Sequence, residues 1–152
     1  MDWRAIVVLA HVLAAFWWVA GYVGTNLCTE IARRSTTDDH CRGALAVSDQ
    51  IDVVANRAGG TAVGLTGLLT MVVFGYSLTT PWVLAATVLF AIVVVGGIFF
   101  WGRFGSQVAA AAKAGDWPRV RRSLNEPRIL VYSRVENFLV VGIIALMVLR
   151  PG

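Results

Sequence analysis

This sequence is poor in charge. Of its 152 residues only 14% are Asp, Glu, Lys or Arg, against about 25% in an ordinary soluble domain. Cysteine is scarce too. Cys28 and Cys41 are the two present, and both fall on the side assigned below to the cytoplasm, where thiols stay reduced, so no disulfide is expected. There is no Gly-rich phosphate loop, no paired Cys-x-x-Cys and no Ser-centred elbow. Nucleophilic catalysis therefore has no carrier. No RNA- or DNA-binding motif occurs, and the net charge of +4 does not argue for nucleic acid, because the basic residues lie in the gaps between apolar blocks, where membrane proteins keep them.

Apolar residues, by contrast, make up 57% of the chain. They come in long blocks, not in the periodic stripes of a water-soluble core, and this points to a bilayer. Four blocks qualify as spans, at about 6–28, 58–76, 82–102 and 129–149. Each can cross a hydrocarbon core of ~30 Å at a helical rise of about 1.5 Å per residue. A cleaved signal peptide fits the first block poorly. Its start, Met1-Asp2-Trp3-Arg4, is weakly basic, the run exceeds a signal core, and no Ala-x-Ala site closes it.

The uncharged link Ser77-Leu78-Thr79-Thr80-Pro81 predicts a tight hairpin between spans two and three. The links 29–57 and 103–128 hold Arg33, Arg34, Arg42, Arg57, Arg103, Lys113, Arg119, Arg121, Arg122 and Arg128, whereas Arg4 and Arg150 lie at the other side. The positive-inside rule puts both links in the cytoplasm and both termini outside. The first link extends span one through Arg34, breaks at Ser35–Asp39, and resumes as a helix over Ala44–Arg57. In the second, Ser106–Ala114 is helical and Gly115 ends it. Trp117 beside Arg119, Arg121 and Arg122 suits the headgroup level of an anionic leaflet. Gly21 and Gly24, with Gly60, Gly64 and Gly67, mark faces where helices approach closely. Gly96-Gly97 serves the same end or bends span three. The expected fold is all-α: an antiparallel four-helix transmembrane bundle with short cytoplasmic helical links, 1–152 forming a single integral membrane domain of the bacterial inner membrane. Its partner is the lipid bilayer, with a homo-oligomer or a larger membrane complex open.

Polar residues inside such spans are the candidates for chemistry. His11 lies in a run with no charge from Ile6 to Cys28. On a helix His11, Trp18, Tyr22, Thr25 and Thr29 fall within about 40° of one line, a stripe that faces other helices or a bound group. Neutral imidazole ligates iron, copper or zinc, or shuttles a proton; the bland alternative is a hydrogen bond to a neighbouring helix. Met71, counted from the end of span two, is expected at the depth of His11, and a His/Met pair holds haem iron in some proteins; Met is also ordinary core filler. Arg134, Glu136 and Asn137 interrupt the fourth span. Arg134 and Glu136 cannot pair within one helix, so Arg57 or Arg103 are the expected partners of Glu136, in a network that fixes register. Arg134 is alternatively a site for a propionate or a lipid phosphate. The run Asp38-Asp39-His40-Cys41 has metal-ligating types but no second half, and is expected to be a solvated loop.

His11, Trp18, Ala20 and Gly21 reproduce a His-x6-Trp-x-Ala-Gly pattern. It resembles the opening span of the HemJ family of membrane protoporphyrinogen oxidases, and the first span of CopD-like proteins. The close of the chain, Arg134-Val135-Glu136-Asn137 running to Leu146-Met147-Val148-Leu149-Arg150-Pro151-Gly152, is similar to the end of small four-span relatives. The resemblance implies haem binding through His11, with Trp18 and Tyr22 walling the site. It also implies a third-span lysine linked to activity, but Val83–Trp101 contains none. Porphyrinogen oxidation loses its support and haem b or porphyrin binding keeps it; if the protein is an enzyme, it is a haem-dependent oxidoreductase. Two other readings stand beside this one: a cofactor-free scaffold or subunit whose polar residues lock the bundle, and, third, a transporter, for which no discontinuous half-helices appear.

Overall fold

A computed structural model describes residues 2–150. Met1, Pro151 and Gly152, the last two closing the terminal run quoted above, lie outside them. Every regular element among the described residues is a helix, and there is no strand. Four continuous helices are long and apolar enough to cross a membrane: Trp3–Arg34, Asp38–Phe74, Pro81–Lys113 and Pro127–Leu149. The all-α expectation and its four spans are thus met, and two spans run on into the links that were expected to be separate from them. The chain falls into two compact units, Met1–Tyr76 and Ser77–Gly152, taken in turn.

The first unit begins with α1 (Trp3–Arg34), whose N-terminus Asp2 caps by accepting from the Arg4 amide at 3.0 Å. Its basic end is tied by Glu30, which accepts from Arg33 Nε at 2.7 Å and also from Arg34. The expected loop after it is shorter than predicted. Thr37 caps α2 (Asp38–Ile51) by accepting from the His40 amide, so Asp38, Asp39, His40 and Cys41 form the first turn of a helix and Cys41 is buried. The Thr cap and the two carboxylates at the positive end of the helix dipole account for the early start. α2 widens into one π-helical stretch, Asp52–Arg57, and continues as α3 (Ala58–Phe74). Gly75, at φ +67, and a 3.0 Å bond from the Tyr76 amide to Met71 O close α3, as a glycine C-cap does.

Contacts between α1 and the long second helix run antiparallel: Gly24 faces Ile51, Gly21 faces Ala55 and Asn56, Gly59 faces Trp18, and Gly67 faces His11. The approach is closest where side chains are absent. A Cβ on Gly59 would lie 2.9 Å from the Trp18 backbone, and one on Gly21 would lie 2.5 Å from Ala55 Cβ. The opposite face of α1 carries Leu9, Leu13, Phe16, Val23, Leu27 and Ile31, all exposed. This is a soluble helix turned inside out, with polar and small residues inward and the apolar stripe outward, as a bilayer requires.

In the second unit Thr80 and Pro81 start α4 (Pro81–Gly96), which passes through a π-helical stretch, Gly97–Trp101, into α5 (Gly102–Lys113). Gly115, at φ +72, ends that helix as predicted. α6 (Trp117–Leu124) packs against α5, and α7 (Pro127–Leu149) against α4. α4 and α7 are antiparallel, with Leu89 against Gly142 and Gly96 against Tyr132, while Arg150 lies 5.9 Å from the Trp82 ring. Trp117, expected at the headgroup level, is covered by protein. With Val120 and Leu124 it makes the buried face of α6, because the spacing of these three puts them on one side of a short helix.

Replacing Gly21 or Gly59 by Ala is expected to lower stability by about 1–3 kcal/mol through overpacking. Gly43→Ala, where a Cβ meets nothing within 4 Å, should leave stability unchanged or raised. Denaturation of the detergent-solubilised variants reads both; equal midpoints for Gly21→Ala and Gly43→Ala would contradict the close-approach account.

Candidate membrane-embedded polar sites

His11 sits on the inward face of α1 because the helical repeat aligns it with Trp18 and Tyr22, which are both buried. The ring is half-buried, and Nδ1 lies 3.0 Å from Thr66 Oγ1 on α3. Thr66 Oγ1 also makes a 2.6 Å bond to Ala62 O, the carbonyl one turn back. A hydroxyl has one hydrogen to give. The shorter bond takes it, so Thr66 meets the imidazole as an acceptor and Nδ1 carries the ring hydrogen. The neutral ring is left with its lone pair on Nε2. Gly67 makes room for it: a Cβ there would stand 3.3 Å from His11 Cε1.

The other residues named with His11 lie further along the seam. Trp18 and Tyr22 share its face but are about 10 and 16 Å away along the axis; Trp18 fills the space beside Gly59 and Gly60. Met71 is half-buried on α3, four residues past Gly67. The register therefore sets it one turn, about 6 Å, beyond the level of His11.

Deeper along the same seam is a polar cluster that the periodicity foreshadowed only in part. Asn56 Nδ2 donates to Thr25 Oγ1 at 3.0 Å and to Asp52 Oδ1 at 3.3 Å. Arg57 Nε donates to Asp52 Oδ2 at 2.8 Å. Thr25 Oγ1 lies 3.1 Å from Gly21 O, and Ser48 Oγ 3.4 Å from Thr25 O. The buried Asn56 Oδ1 has no hydrogen-bond donor. All of this surrounds the π-helical turn, whose extra residue rotates Asn56 toward α1.

In the second unit Glu136 is buried on α7 and accepts from Trp101 Nε1 at 2.7 Å. Tyr132, one turn before it, stacks on Phe100 with ring centroids 3.9 Å apart, and Trp101 meets Phe100, Phe104 and Tyr132 edge-on. The Tyr132 hydroxyl occupies the space a Gly96 side chain would take. The sequence reading missed the Trp101 partnership. Its one signal was that an indole N–H within an apolar span needs an acceptor. Arg134, Asn137 and Arg103 are exposed. Among the described residues no three His, Cys, Asp or Glu side chains gather as a metal ion would need.

Four long apolar helices, small residues where they touch, and polar groups turned inward define a multi-span helical membrane protein. Residues 5–151 match the family described as "Predicted integral membrane protein (DUF2269)". The chain belongs to that family. No curated protein matches it, and no solved structure does.

Trp101→Phe keeps an aromatic ring, a smaller one, and removes the donor to Glu136. It should destabilise the detergent-solubilised protein by about 1–3 kcal/mol, the cost of stripping a buried acceptor, and Glu136→Leu in the same background should recover much of that loss. A Trp101→Phe variant that unfolds at the wild-type midpoint would show the bond to carry no weight.

Proposed function

We propose that this protein binds haem through His11 Nε2. The observation that carries the reading is the hydrogen bond of Nδ1 to a threonine oxygen that has already given its own hydrogen away. Histidines that ligate metals characteristically hold the other ring nitrogen in this manner, which fixes the tautomer and aims the lone pair. Haem suits the residues better than a bare ion does, because the porphyrin supplies four nitrogens and the protein needs to add one or two ligands. Bound haem would supply the one-electron chemistry; the chain supplies the imidazole, the Thr66 acceptor and the space at Gly67. Met71 remains the proposed second ligand, reached across one helical turn. The likeness of the first span to HemJ and CopD-like proteins supports the same reading. The rival is a cofactor-free scaffold, favoured by the same His11–Thr66 bond if it serves only to join two helices.

Titrated with haem, the purified protein is expected to develop a Soret band that His11→Ala abolishes, while Thr66→Val weakens affinity by about 10-fold or more. A wild-type protein that takes up no haem, or an unchanged band in His11→Ala, would overturn the assignment.

We further propose that both termini lie outside the cytoplasm of a bacterial inner membrane, since ten of the 13 basic residues fall in the two links on the other side. A reporter fused after Gly152 should be active only when exported; cytoplasmic activity would reverse the topology.

A further inference from the structure

α6, the turn after it and the first residue of α7 form an open groove of about 630 Å³, lined among others by Asp116, Arg119, Arg122, Ser123, Glu126 and Pro127. We infer that this groove binds the headgroup of an ethanolamine phospholipid, the phosphate on Arg119, Arg122 and Ser123 and the ammonium on Glu126.

Depth comes first. α7 has 23 residues, so at the helical rise it is about 34 Å long, enough for one hydrocarbon core and little more. Its first residue, Pro127, must then lie at the interface, and the groove with it. Orientation follows from packing. Trp117, Val120 and Leu124 are buried, which turns Arg119 and Arg122 outward, three residues apart and side by side. Both are exposed, and among the described residues neither has a carboxylate within salt-bridge distance. Ser123 adds a hydroxyl on the same face, one turn after Arg119. Paired guanidinium groups with a hydroxyl are a donor set for phosphate oxygens.

The acidic residues refine the choice. Asp116 is committed to α6, its Oδ1 accepting from the Arg119 amide at 3.1 Å. Glu126 is exposed and lines the same groove from the turn between α6 and α7. A purely anionic headgroup would meet its charge as repulsion. A headgroup carrying phosphate and a primary ammonium satisfies both ends of the face, whereas a choline headgroup has no N–H to give the carboxylate.

Native mass spectrometry of the full-length protein in detergent, titrated with phosphatidylethanolamine, phosphatidylglycerol or phosphatidylcholine of identical chains, tests this. Phosphatidylethanolamine should be retained about tenfold better than either of the others, the scale of one charge-assisted hydrogen bond. Glu126→Gln should bring it down to the phosphatidylcholine level. Arg119→Gln with Arg122→Gln should abolish the preference, and Arg103→Gln, exposed on α5 away from the groove lining, should leave it intact. All four positions are exposed, so folding is preserved. Phosphatidylglycerol held as well as or better than phosphatidylethanolamine, or a preference that survives Glu126→Gln, would show only a diffuse basic surface and overturn the site. Equal retention of all three lipids would overturn it as well.

Discussion

The contact of Trp18 with Gly59 and Gly60 fixes the register of the first unit. Lipid offers helices no hydrophobic reason to associate, so dispersion between closely approaching surfaces must hold them. Gly59 lets the Trp18 backbone come close and Gly60 lies beneath its indole ring. Once Trp18 is seated, the antiparallel geometry sets Gly21 on Ala55 and His11 on Thr66 without further choice. The polar contacts are thus consequences of where the glycines are. The second unit uses the same device at Gly96, where the Tyr132 ring enters the gap and the neighbouring turn brings Trp101 to Glu136.

Both long helices that carry links also carry a π-helical turn at the level where apolar span gives way to polar extension, at Asp52–Arg57 and Gly97–Trp101. A widened turn changes the face a helix presents. On either side of it α2 and α3 both meet α1, Ile51 at Gly24 and Thr66 at His11. Asn56 is the residue this rotation commits, and it ends with both amide hydrogens used and its oxygen unsatisfied.

The spans, their number and the inward stripe of α1 were legible because bilayer burial acts on composition over some twenty residues and on a fixed helical repeat. Gly115 was legible because a helix end at positive φ names its own residue type. Three features were not. Asp38–Cys41 looked like loop because clustered polar residues serve equally as a turn and as a capped first turn. The burial of Trp117 was hidden because its neighbours in sequence are cationic, whereas the structure groups it with Val120 and Leu124. The Trp101–Glu136 bond joins positions thirty-five residues apart, and no local pattern encodes that pairing. Of the candidate site, the imidazole and its face were readable; the threonine that sets its tautomer was not, since a Thr inside a span ordinarily bonds to its own helix.

The inverted amphipathicity of α1 bears on biogenesis. Alone among acyl chains, this helix would keep the bonds of Thr25 and Asn26 to its own carbonyls but would leave the His11 imidazole without its Thr66 partner, a polar group exposed to hydrocarbon. Its counterpart, the stretch Asp38–Phe74, brings the matching oxygens and the bare glycine surface. Pairing with that stretch is thus what completes the polar side of the leading segment, and the imidazole gains its partner only once the successor has been made.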